Sequence, residues 1–239
     1  MKSLFLVILV SFFPIKSQGS IDFLKFKLGL SRSLSPFEDY LERKNVYNVY
    51  QDKVAGHITD AQKFQMNEAL ATYSNIKAIG EIGLNLGHST DNFFNNCKEI
   101  EKYYSFDVNF ISEVVEYFRD KYKSQFHFFQ GDSLQTVPEF TRSFPTIKLD
   151  LIFIDGGHSY DQCLNDILNM QALAHENTHL WIDDYLAPEV FEAVESCKKI
   201  FGILEIVKVH VSDFKTSAER CWVEARYLFP EKDLDLLRE

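Results

Sequence analysis

The sequence has few of the residues that mark cross-linked secreted proteins or nucleic-acid-binding proteins. Of its 239 residues only 4 are cysteine, none of them spaced as a CxxC pair, and there is no Asn-x-Ser/Thr site. Basic residues form no cluster longer than a pair such as Lys198 and Lys199, and the formal net charge is −10. The chain therefore lacks the positive surface with which proteins bind phosphate backbones. We predict reduced, buried cysteines, with a disulfide pair as the alternative, and no nucleic-acid partner.

Long apolar runs are scarce too, and one stands out at the N terminus. Residues 4–15 are almost all apolar, and the small residues Ser17 and Gly19 follow where a signal peptidase would cut. This run is too short to span a bilayer comfortably. We interpret residues 1–19 as a signal-peptide-like or anchor segment, which favours export or membrane association. A retained helix that packs on a cytoplasmic protein is the alternative.

The apolar content is high enough for one sizeable core, with 46% hydrophobic and 15% aromatic residues. Residues 20–75 are polar and rich in tyrosine, and we predict that they form a helical cap over the main domain. Within the cap, HITDAQKFQMNEALATYSN predicts a helix whose N-cap is Thr59 or Asp60. The side chains of Tyr40, Tyr47 and Tyr50 either line a pocket or pack under the cap.

Residues 76–230 alternate between short apolar runs and helical patterns. The runs IKAIGEIG, KYYSFDV, FHFFQGD, LDLIFID and HLWIDD predict five parallel strands with helices between them. Pro188 opens the last of these helices, and its predicted buried face comprises Val190, Phe191, Val194 and Cys197. GILEIVKVHV and CWVEARYLF predict a closing antiparallel pair. The predicted fold class is therefore α/β, a three-layer Rossmann-like sheet that is mostly parallel with an antiparallel C-terminal strand.

Acidic residues stand at or just after the end of each parallel strand. In such sheets ligands bind at the carboxyl ends of the strands. We therefore expect these carboxylates to meet along one edge, although any one of them could simply cap the following helix. They are Glu81, Asp107, Asp132, Asp155, Asp183 and Asp184.

The loop EIGLNLGHST, which follows the first strand, is suited to holding a ligand. Gly83 and Gly87 let the backbone approach a bound group, and Ser89 and Thr90 open a helix whose N–H groups are free to donate. The glycines are four residues apart with Asn85 between them. This spacing is not GxGxxG, so the loop disfavours a nicotinamide dinucleotide.

Five motifs in order carry a family resemblance: EIGLNLGHST, SFDV, FQGDS, FIDGGHSYDQCLNDI and WIDDY. Together they resemble the class I S-adenosylmethionine-dependent methyltransferases, in particular the metal-dependent O-methyltransferases of macrolide sugars and other small molecules. The resemblance covers residues 76–230 and implies methylation of a hydroxyl on a small molecule or sugar. It also implies a set of residues that bind S-adenosylmethionine. Those at the amino-acid end of the cofactor are Glu81, Gly83, Asn85, Gly87 and Ser89, the one at the ribose is Asp107, and those at the adenine are Asp132 and Ser133.

The same resemblance implies a divalent cation and a catalytic base. Asp155, Asp183 and Asp184 match the positions that hold Mg²⁺ in these enzymes, and carboxylate oxygens suit that ion. His158 matches the proposed base, which would take the proton from the substrate hydroxyl. Two alternatives stay open: the imidazole of His158 only anchors its loop, or Asp155 serves the cofactor or a helix cap without any metal.

Three functions fit these patterns. An O-methyltransferase comes first, and a nicotinamide-dependent oxidoreductase suffers from the wrong glycine spacing. The third is a catalytically silent binding protein that keeps the fold. An export signal would favour the silent protein, because S-adenosylmethionine is made in the cytosol.

Overall fold

A single seven-stranded sheet forms the centre of the fold. The computed structural model describes residues 35–46, 58–212 and 220–229, so the segment 1–19, Tyr47 and Tyr50 lie outside the described residues. The strand order is β3-β2-β1-β4-β5-β7-β6. The strands are β1 (Ala78–Ile82), β2 (Lys102–Asp107), β3 (Phe126–Gln130), β4 (Leu151–Ile154), β5 (His179–Ile182), β6 (Leu204–Ser212) and β7 (Arg220–Tyr227).

The pairing of the strands confirms the predicted fold class. Strands β1 to β5 run parallel to one another, and β7 pairs antiparallel with both β5 and β6. The strand order reverses between β1 and β4, which both lie in the middle of the sheet. Such a reversal opens a crevice at the carboxyl ends of the strands. The sheet thus offers one position where a ligand is expected.

Helices cover both faces of the sheet and complete three layers. One core lies between the sheet and helices α5 to α7, and the other lies between the sheet and helices α1 to α4. Helices α1 and α2, of which only α2 was predicted, therefore share a core with the sheet. The helices are α1 (Pro36–Arg43), α2 (Asp60–Leu70), α3 (His88–Asn96), α4 (Ser112–Tyr122), α5 (Ser133–Ser143), α6 (Tyr160–Gln171) and α7 (Pro188–Lys199).

Local sequence signals fix where several helices begin. Thr59 is the N-cap of α2 and forms a reciprocal capping box with Gln62, so the predicted start of this helix is confirmed. Pro188 lies in the first turn of α7, also as predicted. The prediction of a buried Phe191 was wrong, because its side chain is 46% exposed while Ala193 is fully buried. The inward stripe of α7 follows i, i+3, i+4 and i+7 from Val190, and position 191 falls outside it.

The cap helices are held by aromatic packing and by one shielded ion pair. The ring of Phe37 in α1 lies 4.9 Å from that of Phe118 in α4. Lys63 of α2 contacts Glu38 of α1 at 3.1 Å, and both side chains are largely shielded from solvent. Tyr40 packs on Tyr117 with ring centroids 4.7 Å apart. This contact favours the packing interpretation of Tyr40.

Two further features of the described residues bear on the predictions. All four cysteines are free thiols, and Cys163, Cys197 and Cys221 are buried. Burial raises the pKa of the Cys197 thiol to about 12, so it stays protonated and inert at neutral pH. Among the helices of the described ranges, none has the length and apolar character needed to cross a bilayer.

Candidate active site

The predicted acids do meet along the carboxyl edge of the sheet. Glu81, Asp107 and Asp155 belong to β1, β2 and the loop after β4, which are neighbours in the sheet. Asp183 and Asp184 follow the next strand, β5. Because these strands are parallel, their ends lie side by side at the point where the strand order reverses. The side chains nevertheless take different roles.

Glu81 is enclosed by hydroxyl groups of the protein itself. Its carboxylate is fully buried and accepts hydrogen bonds from Ser89, from Thr90 at 2.7 Å and from Ser105 at 3.0 Å. Burial raises the pKa of Glu81 to about 7, although the three hydroxyl groups oppose the shift. Glu81 thereby ties the start of α3 to strands β1 and β2. One of the hydroxyls would have to turn before Glu81 and Ser89 could contact a cofactor.

Gly83 and Gly87 are required by the packing of the protein. Both have positive φ angles, +95° and +75°, which side chains other than glycine rarely adopt. A Cβ atom on Gly83 would lie 2.7 Å from the carbonyl carbon of Asp155, and one on Gly87 would lie 2.5 Å from the ring of Phe118. The first glycine thus lets the loop after β1 touch the loop after β4. The close approach that the structure shows is between parts of the chain, and the approach to a ligand stays a prediction.

Asp107 connects the end of β2 to the glycine-containing loop. Its Oδ2 accepts the N–H of Asn85 at 2.7 Å, and its Oδ1 accepts the N–H of Asn109 at 2.8 Å. Asn85 has a φ of +44°, a left-handed conformation that asparagine tolerates well. A carboxylate has about four acceptor positions. Asp107 therefore keeps about two of them for the hydroxyls of a ribose.

Asp132 and Ser133 begin helix α5, on the side predicted to face an adenine. Asp132 is the N-cap, and its Oδ1 accepts the N–H of Leu134 at 3.0 Å. The hydroxyl of Ser133 is buried and donates to Oδ1 of Asp166 at 2.7 Å. Burial raises the pKa of Asp166 to about 6. Ser133 is thus tied to helix α6 and does not present its hydroxyl to the crevice.

Asp155, His158 and Asp184 form a polar group at this edge, which we call the acid cluster. One donor atom from each residue lies within 4.8 Å of the other two. Nε2 of His158 is 3.0 Å from Oδ2 of Asp184 and 4.0 Å from Oδ1 of Asp155. His158 is 53% exposed, so it can reach a molecule in the crevice.

Local backbone geometry builds the acid cluster. His158 directly precedes Ser159, the N-cap of α6, whose hydroxyl oxygen accepts the N–H of Gln162. Asp184 has a φ of +50°, an uncommon conformation that aspartate tolerates better than most residues. It turns the chain sharply between β5 and α7. Strained residues of this kind are found mostly at functional sites.

Asp183, the third acid of the predicted metal set, is bound elsewhere. The Nε2 atom of Gln62 lies 2.9 Å from its Oδ1 and 3.1 Å from its Oδ2. Burial, followed by the charges of Asp155 and Asp184, raises the pKa of Asp183 well above its usual range. The structure therefore brings Asp155 and Asp184 together with His158, whereas the carboxylate of Asp183 is engaged by helix α2.

The cluster holds His158 in its protonated form. The carboxylates of Asp155 and Asp184 beside the ring raise the pKa of the imidazole to about 10. Burial raises the pKa of Asp155, and the neighbouring imidazole of His158 only partly offsets this. For Asp184 burial acts in the same direction, but the bond from His158 prevails and its pKa is lowered. A free imidazole base would require some other positive charge beside the two carboxylates.

The chemistry of these side chains fits a divalent cation. Two carboxylates within reach of each other suit a hard cation, and Mg²⁺ or Mn²⁺ often takes only one or two carboxylates from a protein. The cation would neutralise the repulsion between Asp155 and Asp184. The polar groups of the glycine-containing loop and Asp107 likewise suit a cofactor with hydroxyl groups.

Some residues of this region were missed by the sequence analysis. Gln62 is 121 positions from Asp183, and the capping box at 59–62 predicts only its place in the helix. Ser105 lies inside a strand, where alternation gives no hint that it faces Glu81. Asp166 reads as an ordinary polar position of an amphipathic helix. Only the fold gives these three residues their partners.

Comparison with protein families gives one match in this region. Residues 81–185 match the family model described as "Methyltransferase domain". This range begins at Glu81 and ends at Tyr185, so it contains the glycine-containing loop and the acid cluster. No curated protein sequence matches the chain.

Solved structures share the fold at low sequence identity. The O-methyltransferase TomG from Streptomyces achromogenes, in complex with S-adenosylmethionine, has a TM-score of 0.64 and 13% identity, covering 88% of this chain and 96% of its own. An O-methyltransferase from Bacillus cereus in complex with SAH has a TM-score of 0.63 and 11% identity, covering 87% and 97%. CalS11, a TDP-rhamnose 3'-O-methyltransferase of calicheamicin biosynthesis, has a TM-score of 0.52 and 11% identity, covering 80% and 95%.

Proposed function

Because residues 81–185 match a methyltransferase domain, we propose that the protein is a class I, S-adenosylmethionine-dependent methyltransferase. It would methylate a hydroxyl oxygen of a small molecule or sugar with the help of a divalent cation. The observation that carries this proposal is the meeting of Asp155, His158 and Asp184 beside the crevice. A hydroxyl group needs a base and a stabilising positive charge to react at neutral pH. The cluster offers a position for each.

The cofactor side of the site consists of the loop after β1 and the end of β2. Asp107 would accept the ribose hydroxyls of S-adenosylmethionine through its free acceptor positions. Gly83, Asn85 and Gly87 give the loop its shape, and Glu81 fixes it through Ser89. This arrangement would hold the methyl group towards the acid cluster. The glycine spacing and the family match both disfavour a nicotinamide cofactor.

The acceptor side of the site is the acid cluster. A bound cation would act as a Lewis acid and lower the pKa of a substrate hydroxyl. Asp155 and Asp184 would hold it, and neutralising them would release the proton that they keep on His158. The imidazole could then accept the proton of the hydroxyl as the methyl group is transferred. The S–CH3 bond of S-adenosylmethionine would break as the O–CH3 bond forms, leaving S-adenosylhomocysteine, and the half-exposed imidazole would then pass its proton to solvent.

A small hydroxylated acceptor fits the charge of the chain better than a nucleic acid. The net charge is −10, which opposes binding to a phosphate backbone. Two proteins of similar fold act in small-molecule chemistry, since CalS11 is a TDP-rhamnose 3'-O-methyltransferase and TomG is involved in tomaymycin synthesis. Membrane association through residues 1–19 remains a prediction for a segment outside the described residues.

Substitution of Asp107 tests the cofactor site. We expect Asp107→Ala to weaken S-adenosylmethionine binding by about 1–3 kcal/mol, because the ribose hydroxyls lose a charged acceptor. The measurement is isothermal titration calorimetry of both proteins, with NAD as a ligand that should give no heat. Asp120→Ala removes an equal charge from an exposed position on α4 and should leave the affinity unchanged. Equal affinity in the Asp107 variant would remove this residue from the site.

Removal of metal tests the acceptor site. We expect saturating Mg²⁺ or Mn²⁺ to raise the melting temperature by about 5–10 °C, since a ligand at 100 times its Kd stabilises a protein by about 2.7 kcal/mol. Chelator should reverse this shift and lower methyl transfer to a hydroxylated acceptor. Asp184→Asn should lose most of the shift, whereas Asp161→Asn, on the exposed first turn of α6, should keep it.

The same measurements separate the proposal from the silent binding protein. A silent protein would bind S-adenosylmethionine but transfer no labelled methyl group to any of a panel of hydroxylated metabolites. If turnover occurs and chelator changes neither turnover nor melting temperature, the cation has no part in it. Asp155 would then serve the cofactor or cap a helix.

A further inference from the structure

The contact between Gln62 and Asp183 links helix α2 of the cap to the residue next to Asp184 of the acid cluster. Gln62 is 1% exposed and Asp183 is 6% exposed, so neither side chain is free to exchange this contact for water. The amide nitrogen of Gln62 lies within 3.1 Å of both carboxylate oxygens. A buried hydrogen bond is costly to break, because each partner would be left unpaired away from water. Asp183 is thus fixed on the side of helix α2.

The orientation of the Gln62 amide follows from its other contacts. Its Oε1 accepts the backbone N–H of Thr59 at 3.2 Å, and this N–H group can only donate. The amide nitrogen must therefore point the opposite way, towards Asp183. The backbone N–H of Gln62 in turn donates to the hydroxyl oxygen of Thr59 at 3.1 Å. The capping box that begins α2 thereby also sets the direction of the donor.

The backbone separates Asp183 from its neighbour. Successive side chains of an extended strand point to opposite faces, so two adjacent acids do not face one ligand by default. Asp184 reaches His158 through its left-handed conformation, with φ at +50°. Asp183 continues the line of β5, and its N–H donates to the carbonyl of Ile154 in β4 at 2.9 Å. Two adjacent acids thus serve two different partners.

We propose that Gln62 is a positioning residue of the cation site: it binds Asp183 to helix α2, so that the carboxylates holding the cation are Asp155 and Asp184. This inference rests on the proposed function, because it takes the acid cluster to be a cation site. Helix α2 has a second anchor, since Gln65 donates to the carbonyl of Val211 at 2.9 Å. Two glutamines of helix α2 therefore join the cap to Asp183, beside the acid cluster, and to strand β6.

The test measures cation binding directly. Mn²⁺ is titrated into the full chain and the free ion is followed by electron paramagnetic resonance. We expect Asp184→Asn to weaken binding by at least about 10–100-fold, the range for losing even an outer-shell partner, and Asp183→Asn by less than about threefold. In a Gln62→Leu background Asp183 is released, and there Asp183→Asn should weaken binding by about tenfold.

A spectroscopic signal separates positioning from a general structural effect. The visible spectrum of bound Co²⁺ should be unchanged by Asp183→Asn but should change with Gln62→Leu, because the released carboxylate enters the ligand set. Gln65→Ala is the matched control. It removes the other anchor of α2 and should alter neither the Mn²⁺ affinity nor the Co²⁺ spectrum.

Two results would overturn the inference: one contradicts only the role of Gln62, and the other contradicts the cation site itself. If Asp183→Asn weakens Mn²⁺ binding as much as Asp184→Asn does, Asp183 is a ligand and Gln62 does not withhold it. This comparison needs no Gln62 variant and so survives any folding defect of Gln62→Leu. If the unmodified protein binds no Mn²⁺ while methyl transfer proceeds, the proposed cation fails and the role of Gln62 fails with it.

Discussion

Replacing His158 by alanine is expected to lower turnover about 10²–10⁴-fold, the usual contribution of a general base. The imidazole lies beside Asp155 and Asp184 at the crevice and is half exposed, so a substrate hydroxyl can reach it. The variant should still bind S-adenosylmethionine, and Mg²⁺ should still raise its melting temperature. Initial rates with labelled cofactor at saturating substrate give the measurement.

The pH dependence gives a second test of His158. Without a cation the pKa of the imidazole is raised to about 10, so the ring is protonated at neutral pH and cannot act as a base. Turnover of cation-depleted protein should therefore rise with pH towards 10. Asp184→Asn removes the nearest negative charge and should move this rise in turnover to lower pH. If the rise in turnover occurs at the same pH in Asp184→Asn as in the unmodified protein, a group other than His158 is titrating.

The ion pair of His158 and Asp184 should also make the stability of the fold depend on pH. A pKa raised above the unfolded value of about 6.5 means that the pair stabilises the fold fully below that pH and is lost as pH rises towards 10. The lowered pKa of Asp184 means that the stabilisation contributed by its ionised carboxylate is lost as pH falls through the acid range. His158→Ala should flatten both changes in melting temperature.

A matched control exists on the opposite edge of the sheet. His175 contacts Asp150 with Nε2 and Oδ1 3.1 Å apart, which resembles the pair of His158 and Asp184. This pair lies at the amino ends of β4 and β5, away from the crevice. His175→Ala should leave turnover within about twofold, because the residue has no part in proton transfer. Equal losses in both variants would indicate a general effect on folding.

The Gly83→Ala substitution is expected to destabilise the fold by about 3–5 kcal/mol. The residue has a φ of +95°, and a Cβ atom there would overlap the carbonyl group of Asp155. Both contacting groups are backbone, so no side chain can move aside. The N–H of Gly83 donates to the carbonyl of Phe106 at 2.8 Å, which fixes the loop from the other side. Urea denaturation of the two proteins measures the difference.

The comparison for this substitution is another glycine with positive φ. Gly202 has a φ of +63° and nothing within 4 Å of its Cβ position, so Gly202→Ala should cost only the backbone strain of about 1–2 kcal/mol. Gly83→Ala should also weaken cofactor binding, since the loop after β1 would move away from β4. Equal stability losses in the two variants would contradict the packing role of Gly83.

The fold was within reach of the sequence because its signals are local. Apolar runs of strand length alternate with amphipathic helices, and this pattern alone predicts a parallel sheet with helices on both faces. Parallel strands place their carboxyl ends on one edge, so the acids after them had to gather there. The start of α2 at Thr59 follows from a capping box of four residues.

The sequence was less informative about which way each side chain points. Phe191 follows the buried Val190, yet a shift of one residue on a helix turns a side chain by about 100° and leaves it in solvent. Asp183 and Asp184 look equivalent in the motif WIDDY. Their different partners depend on the positive φ angle of Asp184, which the motif does not predict.

The sequence by itself thus determined the fold class, the edge of the sheet that carries the site and the position of His158 next to Asp155. Only the tertiary structure decided that Glu81 is enclosed by hydroxyls, that Ser133 is bound to Asp166 and that Asp183 belongs to Gln62. The physical reason is the range of the interactions. Periodicity and capping act within a few residues, whereas these contacts join distant segments whose distance and direction are set only when the helices pack on the sheet.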